Sequence, residues 1–223
     1  MQICQNLSVW DRNCKSKQDE NSLAAPVKRT SAITTGFELC IRKKQVIITL
    51  EIEICEDMEM EYRKLSVDEA EQFWSLMNQL DYETKYMLYE PGERTKNLPR
   101  IESLIRDSVE RQDFLLVAET DNKLIGYISA QKGRLNRIAH SAYIVVGILT
   151  DYRGKGIGTE FFKRLNIWAE ENKVVRLELT VICENEAAKH LYINSGFEIE
   201  GIKRKSVCVD GKYLDEYYMA RVR

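Results

Sequence analysis

The chain has 223 residues, 30% of them charged, and a formal net charge of −2. That length suits one domain with a sizeable core, or one domain plus an appendage, and the near-balance of charge lacks the basic excess that nucleic-acid binding usually shows. No stretch approaches the roughly 18 apolar residues of a membrane span, and the start Met1-Gln2-Ile3-Cys4-Gln5-Asn6 has neither the basic opening nor the apolar core of a secretory leader.

The six cysteines form no C-x-x-C pair, and the two histidines, His140 and His190, stand far apart. No metal site is therefore expected, and reduced thiols in the cytoplasm are the natural reading. Residues 1–57 differ from the rest. They hold Cys4, Cys14, Cys40 and Cys55, and residues 11–31 are polar and without pattern. Residues 46–54 alternate like a strand, with Phe37–Ile41 as a hairpin partner. Met58 and Met60 are alternative starts. The sequence leaves open whether the extension is functional. We place the domain boundary between residues 57 and 58, with a compact domain over 58–223.

From Met60 the pattern is regular. Glu59–Leu65 reads as a short strand. Ser66 and Glu69 form a capping box, followed by Val67, Ala70, Phe73, Trp74, Met77 and Leu80 at helical spacing. Asp81–Asn97 is polar and tyrosine-rich, with Pro91-Gly92 marking a turn. A second helix is expected over Leu98–Arg111. Phe114–Glu119 and Lys123–Gln131 flank the tight turn Asp121-Asn122 and predict an antiparallel hairpin. Ser141–Leu149 is a long strand. Ile157, Phe161, Leu165, Trp168 and Ala169 give a one-sided helix. A strand over Val174–Ile182, a helix over Glu186–Ser195 and strands over Phe197–Arg204 and Tyr213–Val222 complete the chain, the last after the turn Asp210-Gly211. Hairpins predict an antiparallel sheet, and the crossover between 143 and 182 predicts one parallel pair.

The segment Arg153-Gly154-Lys155-Gly156-Ile157-Gly158-Thr159 lies between a strand and a helix. Glycines there let main-chain N–H groups meet an anion, and the helix macrodipole, Arg153 and Lys155 add positive charge. It is not a P-loop, because Gly-Lys-Ser/Thr is absent. It is not the dinucleotide fingerprint either, because the glycine spacing fails although Glu178 lies at the right distance. A second pattern follows: Asn185-Glu186-Ala187-Ala188-Lys189-His190-Leu191-Tyr192, then Gly196-Phe197.

Together these two patterns resemble the GNAT superfamily of acetyl-CoA-dependent N-acetyltransferases, over Met60–Arg223 and none of the extension. The resemblance implies an α+β fold: a mixed, mostly antiparallel sheet of about seven strands, flanked by about four helices, with a V-shaped splay between the two central parallel strands. It implies that Gly154, Gly156, Gly158 and Thr159, with Arg153 and Lys155, hold the CoA pyrophosphate. It also implies that a bulge opens the cleft, which Gly147 suits, and that the amide of Ile148 or its neighbour polarises the thioester. Tyr192 matches the family's general acid, or else simply packs on its helix. Asn185 matches a contact to the cofactor arm, or caps its helix. Gly196 reads as a helix cap. Glu178, acting through a water, is the candidate base, with Tyr143 and His140 as alternatives. Where many members carry proline, this chain has Thr150.

The implied function is direct acetyl transfer from acetyl-CoA, with no metal and no acyl-enzyme, to a primary amine of a small molecule or a protein N-terminus. A non-catalytic acyl-CoA-binding sensor or partner module is the alternative. Tyr82–Arg94 and the hairpin at Asp210–Tyr213 are the expected acceptor regions. Glu83, Glu90 and Glu93 are either a solvated face or attractors of a cationic amine. Monomer and homodimer both stay open.

Overall fold

The structure, a computed structural model, describes residues 60–223. The expected strand pair of the extension and the boundary between residues 57 and 58 lie outside the described residues. In chain order the elements are β1 (Glu61–Arg63), α1 (Ala70–Glu83), α2 (Leu98–Glu110), β2 (Phe114–Thr120), β3 (Lys123–Lys132), β4 (Ser141–Ile148), α3 (Ile157–Glu171), β5 (Arg176–Ile182), α4 (Glu186–Asn194), β6 (Glu198–Val209) and β7 (Lys212–Val222). Among the described residues the strands make one seven-stranded sheet, ordered β1-β2-β3-β4-β5-β7-β6. Only β4 and β5 run parallel. This is the fold that the resemblance implies.

Local chemistry accounts for most element ends. The Glu69 carboxylate accepts the Ser66 N–H at 2.7 Å, closing the capping box. A single 3-10 turn, Val67–Glu69, intervenes before α1 begins. Asp121-Asn122 and Asp210-Gly211 all have positive φ, as a two-residue turn between twisted strands demands. The second of these turns extends β6 to Val209, beyond the expected end at Arg204.

Each sheet face carries its own core. On one face α1 and α2 bring Phe73, Leu76, Leu80, Ile101 and Ile105 against Leu115, Val117 and Tyr127. On the other, α3 and α4 bring Ile157, Phe161, Phe162, Leu165 and Tyr192 against Leu116, Ile128, Ala142, Ile144 and Leu177. Each such fully buried side chain stabilises the fold by roughly 1.5–3 kcal/mol.

The central parallel pair is brief. It comprises Ser141↔Arg176, Ala142↔Leu177 and Tyr143↔Glu178. Both strands then continue, β4 beside β3 as far as Ile148↔Gly126 and β5 beside β7 as far as Ile182↔Glu216, but apart from each other. That parting is the V-shaped cleft. It opens differently from the expectation at Gly147. The β3–β4 register runs unbroken from Lys132↔Ala142 to Gly126↔Ile148, so Gly147 sits in no bulge of that ladder. A Cβ at Gly147 would lie 2.7 Å from Leu80 Cδ1, and the missing side chain instead lets α1 lie close on β4.

Candidate active site

The glycine turn joins β4 to α3, and its glycines do two different jobs. Gly154 and Gly156 adopt φ of 72° and 83°, the left-handed region that favours glycine, and nothing lies within 4 Å of where their Cβ atoms would be. Gly158 is already helical and buried. A Cβ there would meet Leu191 Cδ2 at 2.7 Å, so this glycine admits α4 against the start of α3. Gly156 is the N-cap residue of α3. Among the described residues, no backbone hydrogen bond outside the helices uses an amide from Gly154 to Thr159 as donor. The first-turn amides therefore face outward at the positive end of a fifteen-residue helix. Lys155 Nζ lies 5.1 Å from the Tyr152 ring centroid. Arg153 instead turns back, its Nε donating to the Ile148 carbonyl at 2.9 Å.

The cleft edge follows from strand parity. Gly133 N–H donates to the Ser141 carbonyl and Leu149 N–H to the Ile125 carbonyl, each at 2.9 Å. Odd-numbered β4 residues thus exchange hydrogen bonds with β3. In an antiparallel ladder the alternate residues point the other way. Ile144, Val146 and Ile148 therefore aim their N–H and C=O groups toward β5, where the strands have parted. Except at the Ile148 carbonyl, which Arg153 occupies, this strand edge is left unpaired among the described residues, close to the glycine turn.

Tyr192 lies on the α4 face that enters the core, only 7% exposed. Its ring packs edge-on to Phe162 at 5.6 Å and beside Phe197 at 6.2 Å. Its hydroxyl has no hydrogen-bond partner among the described residues. Desolvation, with a smaller push from Tyr143, raises its phenol above the ordinary tyrosine range. The end of α4 explains the residues that follow. Phe197 N–H donates to the Tyr192 carbonyl at 3.0 Å and Gly196 N–H to the Ile193 carbonyl at 2.9 Å, with Gly196 at φ 87°. This is a Schellman cap, and its customary apolar contact is the Tyr192–Phe197 ring pair. Asn185 caps the other end, its Oδ1 accepting the Ala188 N–H at 3.2 Å. Its side-chain NH2 remains for another partner.

Tyr143 and Glu178 lie on the opposite sheet face. Tyr143 stands beside Glu178, and its hydroxyl lies 3.0 Å from Thr180 Oγ1. Glu178 Oε2 accepts from Arg176 Nε at 2.6 Å, and Arg176 reaches Glu200 as well. His140 contributes its carbonyl to the Arg176 N–H at 3.0 Å, and its ring is exposed. Gln131 pairs with Tyr143, so the same face continues into a cavity of about 290 Å³ between α2 and β3, lined by Arg100, Asp107, Asp113, Gln131 and Arg134. The two expected acceptor regions meet at a smaller cavity of about 100 Å³, where Lys85 faces Glu184, Asp210 and Lys212. Of the three glutamates, Glu83 bonds Thr150 and Glu93 closes a turn by accepting the Glu90 N–H at 2.9 Å. Burial raises the Cys183 thiol, so it is no activated thiolate.

Comparison with known proteins places this geometry. The chain matches the Acetyltransferase (GNAT) family over residues 74–197. The chain belongs to the GNAT family of acetyltransferases. It is 32% identical over 112 residues to the L-amino acid N-acetyltransferase AaaT of Escherichia coli K12, covering 48% of this chain and 67% of that one. To the spermidine N(1)-acetyltransferase of the same strain it is 29% identical over 148 residues, covering 64% and 77%. In fold it resembles a GNAT acetyltransferase from Streptococcus pneumoniae with a TM-score of 0.70 at 23% identity, covering 74% of this chain and 99% of that one.

The geometry fits the acetyl-CoA that the GNAT family uses: outward amides, open space at Gly154 and Gly156, and a strand edge unpaired apart from the Ile148 carbonyl. Among the described residues no cluster of three metal-ligating side chains occurs, and no helix is long and apolar enough to cross a membrane. Three features went unread in the sequence: the Arg153–Ile148 bond, the Glu83–Thr150 bond and the contact of Leu191 with Gly158. The first follows a strand end. The other two join residues 67 and 33 positions apart, which no local pattern signals.

Proposed function

We propose that this chain is a cytoplasmic N-acetyltransferase that transfers the acetyl group of acetyl-CoA to a primary amine, of a small molecule or a protein N-terminus, by direct attack in a ternary complex. One observation carries the reading: outward amides at the start of α3 adjoin the free edge of β4 in a cleft. Gly154, Gly156, Gly158 and Thr159 would hold the pyrophosphate through the main chain, with charge from Lys155 and Arg153. The pantetheine arm suits the free β4 edge as an added strand. Ile148, or Val146 by the same parity, directs an N–H toward the thioester oxygen. The side-chain NH2 of Asn185 suits the arm.

The amine forms its bond to the acetyl carbon as the carbon–sulfur bond breaks, and sulfur leaves with the electron pair. Tyr192 then protonates that sulfur, and the proton shed by the newly acylated nitrogen returns to the Tyr192 phenolate. An ordinary phenol near pKa 10 is a weaker acid than a thiol near 8.5. Burial raises Tyr192 further, but the same dry cleft raises the thiolate's proton affinity too. The attacking ammonium must first lose a proton. Glu178 takes it through water in this scheme, using Oε1, while Arg176 occupies Oε2. Tyr143 and His140 remain the alternatives.

The relatives' names point to amino acids and polyamines as acceptors. A thiol-release assay with acetyl-CoA across amino acids, polyamines and short peptides tests the proposal. Turnover with any amine is expected. Tight CoA binding without turnover on any acceptor would favour the non-catalytic module instead.

A further inference from the structure

We infer that Glu83 is a positioning residue that clamps the cofactor turn to α1. Glu83 is the last residue of α1. Its Oε2 accepts the main-chain N–H of Thr150 at 2.7 Å, and its Oε1 accepts Gln79 Nε2 at 2.7 Å. Thr150 opens the 3-10 turn Thr150–Tyr152, the only link between β4 and the glycine turn. The far end of that link is pinned as well. Arg153 N–H donates to the Thr150 carbonyl at 3.2 Å, and its Nε donates to the Ile148 carbonyl at 2.9 Å. The segment between the strand edge and the anion cradle is thus held at its start by Glu83 and at its end by Arg153.

Charge arguments single out geometry as the reason for this carboxylate. A glutamate in the last turn of a helix opposes the macrodipole. A negative charge near a diphosphate site also opposes binding. Burial would raise the Glu83 carboxyl, yet the Thr150 and Gln79 bonds and the nearby Arg153 hold it below the ordinary range. The bonds from Thr150 and Gln79 and the nearby Arg153 thus outweigh the burial of Glu83. What the Glu83–Thr150 bond delivers is the placement of Thr150, and through it the direction of the amides that follow. Proline at this position could not take part, because it has no N–H.

The inference rests on the proposed function for its ligand, and the test separates the two. Leu149 has φ −57° and ψ 144°, the conformation a residue before proline prefers. Thr150→Pro therefore removes the donor with little backbone change. Glu83→Ala removes the acceptor, and Glu83→Gln keeps an acceptor oxygen. CoA affinity is measured by calorimetry on the full chain. Thr150→Pro and Glu83→Ala should each weaken CoA about tenfold, as expected for losing a hydrogen bond to a charged group. The double variant should be no weaker than either single one, and Glu83→Gln should recover most of the loss. With S-acetyl-pantetheine, which lacks the diphosphate, kcat/KM should change less than twofold, whereas with acetyl-CoA it should fall with affinity. Unchanged CoA affinity in both single variants overturns the clamp, as does an equal loss with both donors. If Thr150→Pro does not fold, the Glu83→Ala and Glu83→Gln pair decides alone. Wild-type protein that takes no CoA sinks the parent reading and this one together. Wild-type binding with indifferent variants sinks only this one.

Discussion

In the proposed mechanism Tyr192 answers to two demands at once. Its carbonyl and ring build the Schellman cap with Gly196 and Phe197, while its hydroxyl alone is left over for chemistry. The two demands separate on one substitution. Tyr192→Phe keeps the ring contacts and deletes an oxygen that has no partner among the described residues. Folding stability should stay within about 0.5 kcal/mol of wild type, and CoA affinity within about twofold. Turnover should fall about a hundredfold, the lower range for a lost general acid. Thiol release under saturating acetyl-CoA reads the first-order constant, and an unchanged value removes the hydroxyl from the acid role. Asn185 shows a similar division, since capping occupies its oxygen and leaves its nitrogen.

At the scale of elements, the glycine turn makes the sharpest claim, because its glycines are not equivalent. Gly156→Ala puts a side chain at φ 83° with no clash, so the cost is conformational, roughly 1–2 kcal/mol if the backbone holds. The chain can relieve that strain by rotating the turn, which redirects the first amides of α3. CoA affinity should then fall about tenfold or more by calorimetry. Gly158→Ala has ordinary helical geometry and meets only the Leu191 side chain, so its loss of affinity should be the smaller. The reverse order would count against amide placement as the role of the turn. The same contrast shows what was legible in the sequence. Alternation and helical spacing recovered all eleven elements from β1 to β7 to within a few residues, apart from the far end of β6, because each buries a face that repeats along the chain. The glycine turn and the Tyr192 helix were legible as patterns. Their internal logic was not. Gly158 answers to Leu191 and Gly147 answers to Leu80, contacts that exist only once helices have docked. The ladder parity that aims Val146 and Ile148 into the cleft likewise needs the register, and register comes from pairing across strands.

For the whole molecule, the two-faced core predicts how stability depends on pH. Tyr127 of β3 meets Phe73 of α1 edge-on, the two rings 5.2 Å apart, and burial pushes its phenol up to about 12. Tyr192, in the other core, is raised in the same direction for the same reason. In the unfolded chain both would ionise near the ordinary value of 10. Above that pH the unfolded state holds fewer protons than the folded one, so stability falls as pH rises. Below it, the two states are equally protonated at these sites and the full contribution is present. Tyr127 alone accounts for roughly 3 kcal/mol by pH 12 at about 1.4 kcal/mol per unit. The acid side runs the other way. Hydrogen bonds from Arg63 are the main cause that holds the Glu69 carboxyl down to about 2. Its contribution is complete above the ordinary 4.5 and is lost as pH falls toward 2. Urea midpoints should therefore be level between about pH 5 and 9 and decline on both sides. Tyr127→Phe should flatten the alkaline decline and leave the acid one untouched, since Arg63–Glu69 joins β1 to the start of α1, away from the Tyr127 ring. Equal midpoints for wild type at pH 8 and 11 would mean that neither phenol is shielded from water as the packing of α1 and α4 requires.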